Sequence, residues 1–162
     1  MQKNILRIAL IVAFILLIPL IANGRVDGWN WTPSDFVFMG ALLLGCGLVY
    51  ELVSRRVNNI SYKMAVGIAT GTVLLLIWVN GAVGIIGDEN PANLLYGIVI
   101  LVGIIGATLS HFKPLGMART LFSMALVQAL VPVVAVIFWS DNFAPGVFQV
   151  FYLNGFFVLS FL

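Results

Sequence analysis

Charge is what this chain has least of. Its 162 residues include eight Lys or Arg and six Asp or Glu, so 9% are charged while 62% are hydrophobic. A water-exposed domain carries about 25% charged residues, so this chain lacks the side chains to cover a surface in water. The same scarcity excludes a nucleic-acid binder, which needs a clustered basic face to neutralise phosphates. Cysteine is as thin: with Cys46 alone, an intrachain disulfide and a cysteine-based metal cluster are excluded. His111 is the sole histidine, which argues against an imidazole-held haem, zinc or copper within one chain. No metal and no cofactor is expected. The sequence also lacks a nucleophile–base–orienter set, a phosphate-cradling loop and metal-ligand spacing. Enzymatic activity is therefore the class with least support.

What is present is apolar length. Six hydrophobic runs, at about 5–22, 35–53, 64–86, 93–110, 120–139 and 147–162, are separated by short polar loops. That pattern predicts an all-α fold, a polytopic transmembrane helix bundle of six spans forming a single integral membrane domain. The first run follows Lys3 and Arg7, like the start of a signal peptide. The region after it, Ile21-Ala22-Asn23-Gly24, has no clear small-x-small cleavage site, so an uncleaved first helix is expected. Pro19 is expected to kink or end that helix. The sixth run falls short of the ~20 residues of a full crossing; the expectation is that the natural chain continues, the alternative a re-entrant or half-length helix.

The connecting residues carry boundary signals. Trp29 and Trp31 suit a membrane–water interface. Thr32-Pro33-Ser34-Asp35 reads as a helix start, with Thr32 as cap, Pro33 in the first position and Asp35 complementing the dipole. Asp88-Glu89-Asn90 reads as a very tight turn, with Asn90 capping a helix that begins at Pro91. Basic loops are expected at 55–63 and 111–119. With six spans and a cytoplasmic N-terminus, Lys3, Arg7, Arg55, Arg56, Lys63, Lys113 and Arg119 all fall inside, and Arg25 alone falls outside. Asp27, Asp35, Asp88, Glu89 and Asp141 fall on the outer side. The positive-inside rule predicts this orientation.

One stretch gathers most of the polar and backbone chemistry. From Trp78 to Asn93 the chain carries an amide within an apolar run, glycines at 81, 84 and 87, two carboxylates and Pro91. Helix rise places Asn80 about 10 Å from the outer end of the third span, and Asn154 at a similar depth in the sixth. An amide in hydrocarbon needs a partner, so either Asn80 and Asn154 face one interior space or each serves as packing glue at its own helix contact. Together with Asp88, Glu89 and Asn93 they form a candidate outward-facing polar pocket. Oxygen-only ligands there would suit calcium, magnesium or an alkali ion; the alternative is that the acids simply complement a helix dipole. Gln128 and Thr72 share a depth and could extend a polar line.

Other residues point to packing. Gly67-x-x-x-Gly71, Ala41-x-x-x-Gly45 and Gly103-x-x-x-Ala107 are small-residue pairs that let helices approach. Gly84 and Gly87 permit either close packing or a helix break. Glu51 and Arg55 are spaced for an i,i+4 pair at the inner boundary. Val83-Gly84-Ile85-Ile86-Gly87 is echoed by Val102-Gly103-Ile104-Ile105-Gly106, but these lie in spans three and four, which do not correspond in a three-plus-three inverted repeat.

At Tyr50–Arg56, Trp78–Asn93 and Phe112–Arg119, the chain resembles an uncharacterised family of small bacterial multi-span inner-membrane proteins. The resemblance spans roughly Trp31 to Arg119. It implies a bacterial inner membrane and no particular activity, substrate or catalytic residue. The expected function is a small channel- or transporter-like protein with an outward-facing polar pocket. The alternative is an accessory or scaffold subunit of a larger membrane complex. A bundle this small is expected to work as a homo-oligomer or beside a larger membrane-protein partner.

Overall fold

The computed structural model describes every residue except Met1, Gly28, Arg56, Glu89, Ser140, Asp141, Asn142, Ala144 and Pro145, and describes Gln2 by its backbone. Among the described residues the chain is all-helical. Its helices are α1 (Gln2–Ala22), α2 (Pro33–Ser54), α3 (Ile60–Val83), α4 (Tyr96–Leu109), α5 (Pro114–Trp139) and α6 (Val147–Phe161), with a 3₁₀ helix at Pro91–Leu95 leading into α4. Five helical stretches are long and apolar enough to cross a membrane: Lys3–Ala22, Pro33–Ser54, Ile60–Val83, Pro91–Leu109 and Pro114–Trp139. Large apolar side chains face outward along them; Phe14 is 72% exposed, Val37 72% and Ile137 67%. In water such surfaces would aggregate, whereas lipid tails solvate them at no cost. This is a membrane protein.

The chain divides into two compact units, Met1–Val66 and Gly67–Leu162. In the first, α1 and α2 form an antiparallel pair. A Cβ added at Gly47 would lie 2.7 Å from Ile8, and one at Gly40 would lie 3.4 Å from Leu16. The close-packing glycines of α2 are thus seven residues apart. Gly45, expected with Ala41 to let a neighbouring helix approach, faces open space. At one end of the pair, Glu51 accepts hydrogen bonds from Arg55 Nε and from Asn4 Nδ2. At the other end, the Asn23 amide bonds both main-chain groups of Trp31, at 3.0 and 3.1 Å. Trp31 stacks on Trp29 and meets the edge of Phe36. The Asp35 carboxylate accepts from the Thr32 main-chain N–H at 2.7 Å and starts α2. α1 runs through Pro19 and ends one turn later, where Asn23 N–H reaches Pro19 O.

The second unit is organised around α5. Its residues Thr120, Met124, Gln128, Val131, Pro132 and Ala135 are buried, at the three-to-four spacing of one helix face. α4 packs antiparallel along α5, and α6 also packs on α5. The α4–α5 turn is shorter than the sequence indicates. His111 and Phe112 adopt left-handed backbone (φ 49° and 58°). Phe112 N–H returns to Ala107 O and His111 N–H to Thr108 O, a Schellman closure. α5 therefore begins at Pro114, not at 120. At the opposite end of α4 the correction runs the other way. α3 stops at Val83 rather than 86, and the chain is already non-helical over 84–88, ahead of Asn90. As the sequence indicates, Asn90 caps the 3₁₀ helix; its side chain accepts from Ala92 N–H at 2.9 Å.

Candidate functional site

The segment after α3 is buried although it is not helical. Ile85 is 2% exposed, Ile86 is fully buried, and Ala92 beyond Pro91 is fully buried. Irregular backbone within an apolar bundle needs its polar groups satisfied internally, and two asparagines do this. Asn93 Oδ1 accepts from Ile86 N–H at 3.0 Å, while its Nδ2 donates to Gly87 O. Asn80, one turn before the end of α3, donates from Nδ2 to Asn93 O at 3.2 Å. Gly84 makes the bend possible. Its φ of +59° suits glycine, and a Cβ there would sit 2.5 Å from Gly87 O.

Three residues beyond Asn93, at the first position of α4, Tyr96 joins a second polar cluster. Tyr96 Oη accepts from Asn154 Nδ2 at 2.9 Å and donates to Asn154 Oδ1 at 3.2 Å. Gln128 Nε2 donates to the same Oδ1 at 2.9 Å, and Asn154 Nδ2 also donates to Val150 O at 2.8 Å. All three side chains are at most 1% exposed. One residue each from α4, α5 and α6 is thereby tied at the centre of the unit.

The orientation of these amides follows from their partners. A main-chain carbonyl only accepts, so Val150 O must face Asn154 Nδ2. Asn154 Oδ1 then faces Gln128 and requires a donor, which assigns Gln128 Nε2 to that contact. Gln128 Oε1 is the atom left over, buried and without a hydrogen-bond partner. The same argument applied to Asn93 O leaves Asn80 Oδ1 buried and unpartnered. Pro132 lies four residues after Gln128 within α5 and has no N–H, so it offers nothing to the Gln128 main-chain carbonyl. The buried amide atoms left with no hydrogen bond in the two clusters are thus both oxygens.

No family model matches this chain, and no curated protein or solved structure is significantly similar to it.

The residues singled out in the sequence fall in several places. Asn80 and Asn93 come together in the loop clasp. Asn154 joins Tyr96 and Gln128 instead of Asn80. Asp88 is exposed in the same loop, and Glu89 lies outside the described residues. Thr72 is buried but donates to Ile68 O of its own helix at 2.8 Å, so it does not continue a line to Gln128. Gly103 lies against Met124 of α5, whereas Gly71 meets open space and Gly67 is half-buried. Gly106, one turn beyond Gly103, makes the closer approach, with a Cβ position 2.5 Å from Thr120. The sequence does not announce Tyr96 or the pairing of Gln128 with Asn154. The one signal it offers is Pro132 four residues after an intramembrane glutamine.

Proposed function

We propose that the protein is a small channel- or transporter-like membrane protein whose cargo is a cation or a neutral hydrogen-bond donor. One observation carries this reading: two buried amide oxygens, Asn80 Oδ1 and Gln128 Oε1, have no partner and flank the start of α4. An unsatisfied buried acceptor costs about 1–3 kcal/mol, and a passing donor or cation would offset it. Non-helical backbone at membrane depth is tolerated where it is buried in protein or lines a cavity, and transporters use such segments at their binding sites.

The charge distribution and the resemblance support a bacterial inner membrane with the N-terminus in the cytoplasm. Flux into proteoliposomes tests the function, with thallium as the cation probe and urea as the neutral donor. Wild-type protein is expected to pass one of them faster than protein-free vesicles. Gln128→Leu, which removes the unpartnered oxygen and keeps the volume, is expected to abolish that excess while the protein stays folded. Wild-type flux equal to that of empty vesicles would sink the reading.

The alternative, an accessory or scaffold subunit, has an observation of its own. Gly71 and Gly81 on α3 and Gly45 on α2 face open space, among exposed Ile68, Leu75 and Trp78 on α3. Glycines of this kind admit a helix from another chain. Native mass spectrometry after mild-detergent purification separates the two: a stoichiometric larger partner favours the scaffold, and a homo-oligomer favours the transporter.

A further inference from the structure

A groove of about 410 Å³ opens between the end of α4 and the start of α5. Val102, Ile105 and Leu109 of α4 form an apolar wall, and Arg119 of α5 lies across from them. The hydroxyls in the groove are already committed as donors. Ser110 bonds Ala107 O, Thr120 bonds Gly116 O and Ser123 bonds Arg119 O, each within about a turn of its own chain. The Arg119 guanidinium thus holds the groove's free donors.

Charge around the groove is of one sign. From Tyr96 to Trp139 the sequence contains no Asp or Glu, and the first turn of α5 has no acid to complement its dipole. Lys113 in the preceding turn adds a second cation. Among the described residues, Arg55–Glu51 is the ion pair that forms, and Arg119 has no carboxylate partner. Helix rise puts Arg119 about 7.5 Å beyond Pro114, within reach of the headgroup layer for a long side chain.

We propose that this groove binds an anionic phospholipid, with its phosphate on the Arg119 guanidinium and an acyl chain along Ile105 and Leu109. Bidentate pairing with phosphate is the contact a guanidinium is shaped for, and basic pockets between membrane helices hold anionic headgroups in this way. The apolar wall selects a lipid over a soluble phosphate. The site is separate from the amide clusters and does not depend on the transport reading.

Native mass spectrometry of the delipidated full chain, exposed to equal phosphatidylglycerol and phosphatidylcholine, tests this. Wild-type protein is expected to retain phosphatidylglycerol several-fold over phosphatidylcholine. Arg119→Gln is expected to lose the preference. Ile105→Trp, which fills the groove and keeps the charge, is expected to retain less of both lipids. Equal retention by wild-type protein, or a preference unchanged in both variants, overturns the proposal. Displacement of the lipid by millimolar inorganic phosphate also overturns it, because the groove would then be a site for the free anion.

Discussion

At the scale of single residues, left-handed backbone decides two positions in opposite senses. Gly84 holds φ +59° with Gly87 O directly behind it. Gly84→Ala is expected to cost about 1–3 kcal/mol, read as a lower midpoint in reversible detergent unfolding. His111 holds φ 49° with a side chain that gains little there, bonding Leu109 O at 3.1 Å on the surface. His111→Gly relieves that strain and is expected to raise stability by up to about 1 kcal/mol. If both substitutions shift the midpoint in the same direction, backbone strain is not what governs these turns. The amides follow a related logic. Asn23 and Asn93 each bond two main-chain groups across a connection, taking the place of a ladder that the irregular backbone cannot form for itself.

At the scale of elements, α4 and α5 meet over two glycines that differ in what they face. Gly103 faces the flexible thioether of Met124, while Gly106 faces β-branched Thr120, itself tied to Gly116 O. Gly106→Ala is therefore expected to destabilise the pair more than Gly103→Ala, by about 1 kcal/mol or more, measured in the same unfolding assay. The helices themselves are legible in the apolar runs, because membrane spans announce themselves by length. Their ends are less so. Val83-Gly84-Ile85-Ile86-Gly87 and Val102-Gly103-Ile104-Ile105-Gly106 are the same five letters, yet the first leaves its helix at Gly84 and the second stays within α4. What separates them lies outside the pentapeptide. The Asn93 side chain supplies partners for the first one's main chain, at Ile86 N–H and Gly87 O, whereas the second keeps its helical hydrogen bonds. Composition cannot carry that information. Depth arithmetic pairs Asn80 with Asn154, whereas the hydrogen bonds join Asn80 to Asn93 and Asn154 to Tyr96 and Gln128.

At the scale of the whole molecule, topology can be tested with one chemistry. The single cysteine, Cys46, permits a Cys46→Ser background in which new cysteines report alone. Asp27→Cys, between α1 and α2, is expected to react with an impermeant maleimide in intact cells. Asn58→Cys, between α2 and α3, is expected to react only after lysis. The reverse pattern would invert the orientation and place the basic residues against the positive-inside rule. With the proposed orientation, the Asn80–Asn93 clasp lies toward the outer face and the Arg119 groove toward the cytoplasmic leaflet. A preference for anionic lipid and the buried loop clasp would then lie at opposite ends of one small unit.

The buried segment after α3 also bears on local unfolding. Ile86 N–H belongs to no helix, yet it is fully buried and bonded to a side chain from beyond Pro91. Its hydrogen exchange should be as slow as that of core helical amides, because releasing it requires Asn93 to let go as well. The connection between α3 and α4 would then move with the core as one cooperative unit, and not as a hinge.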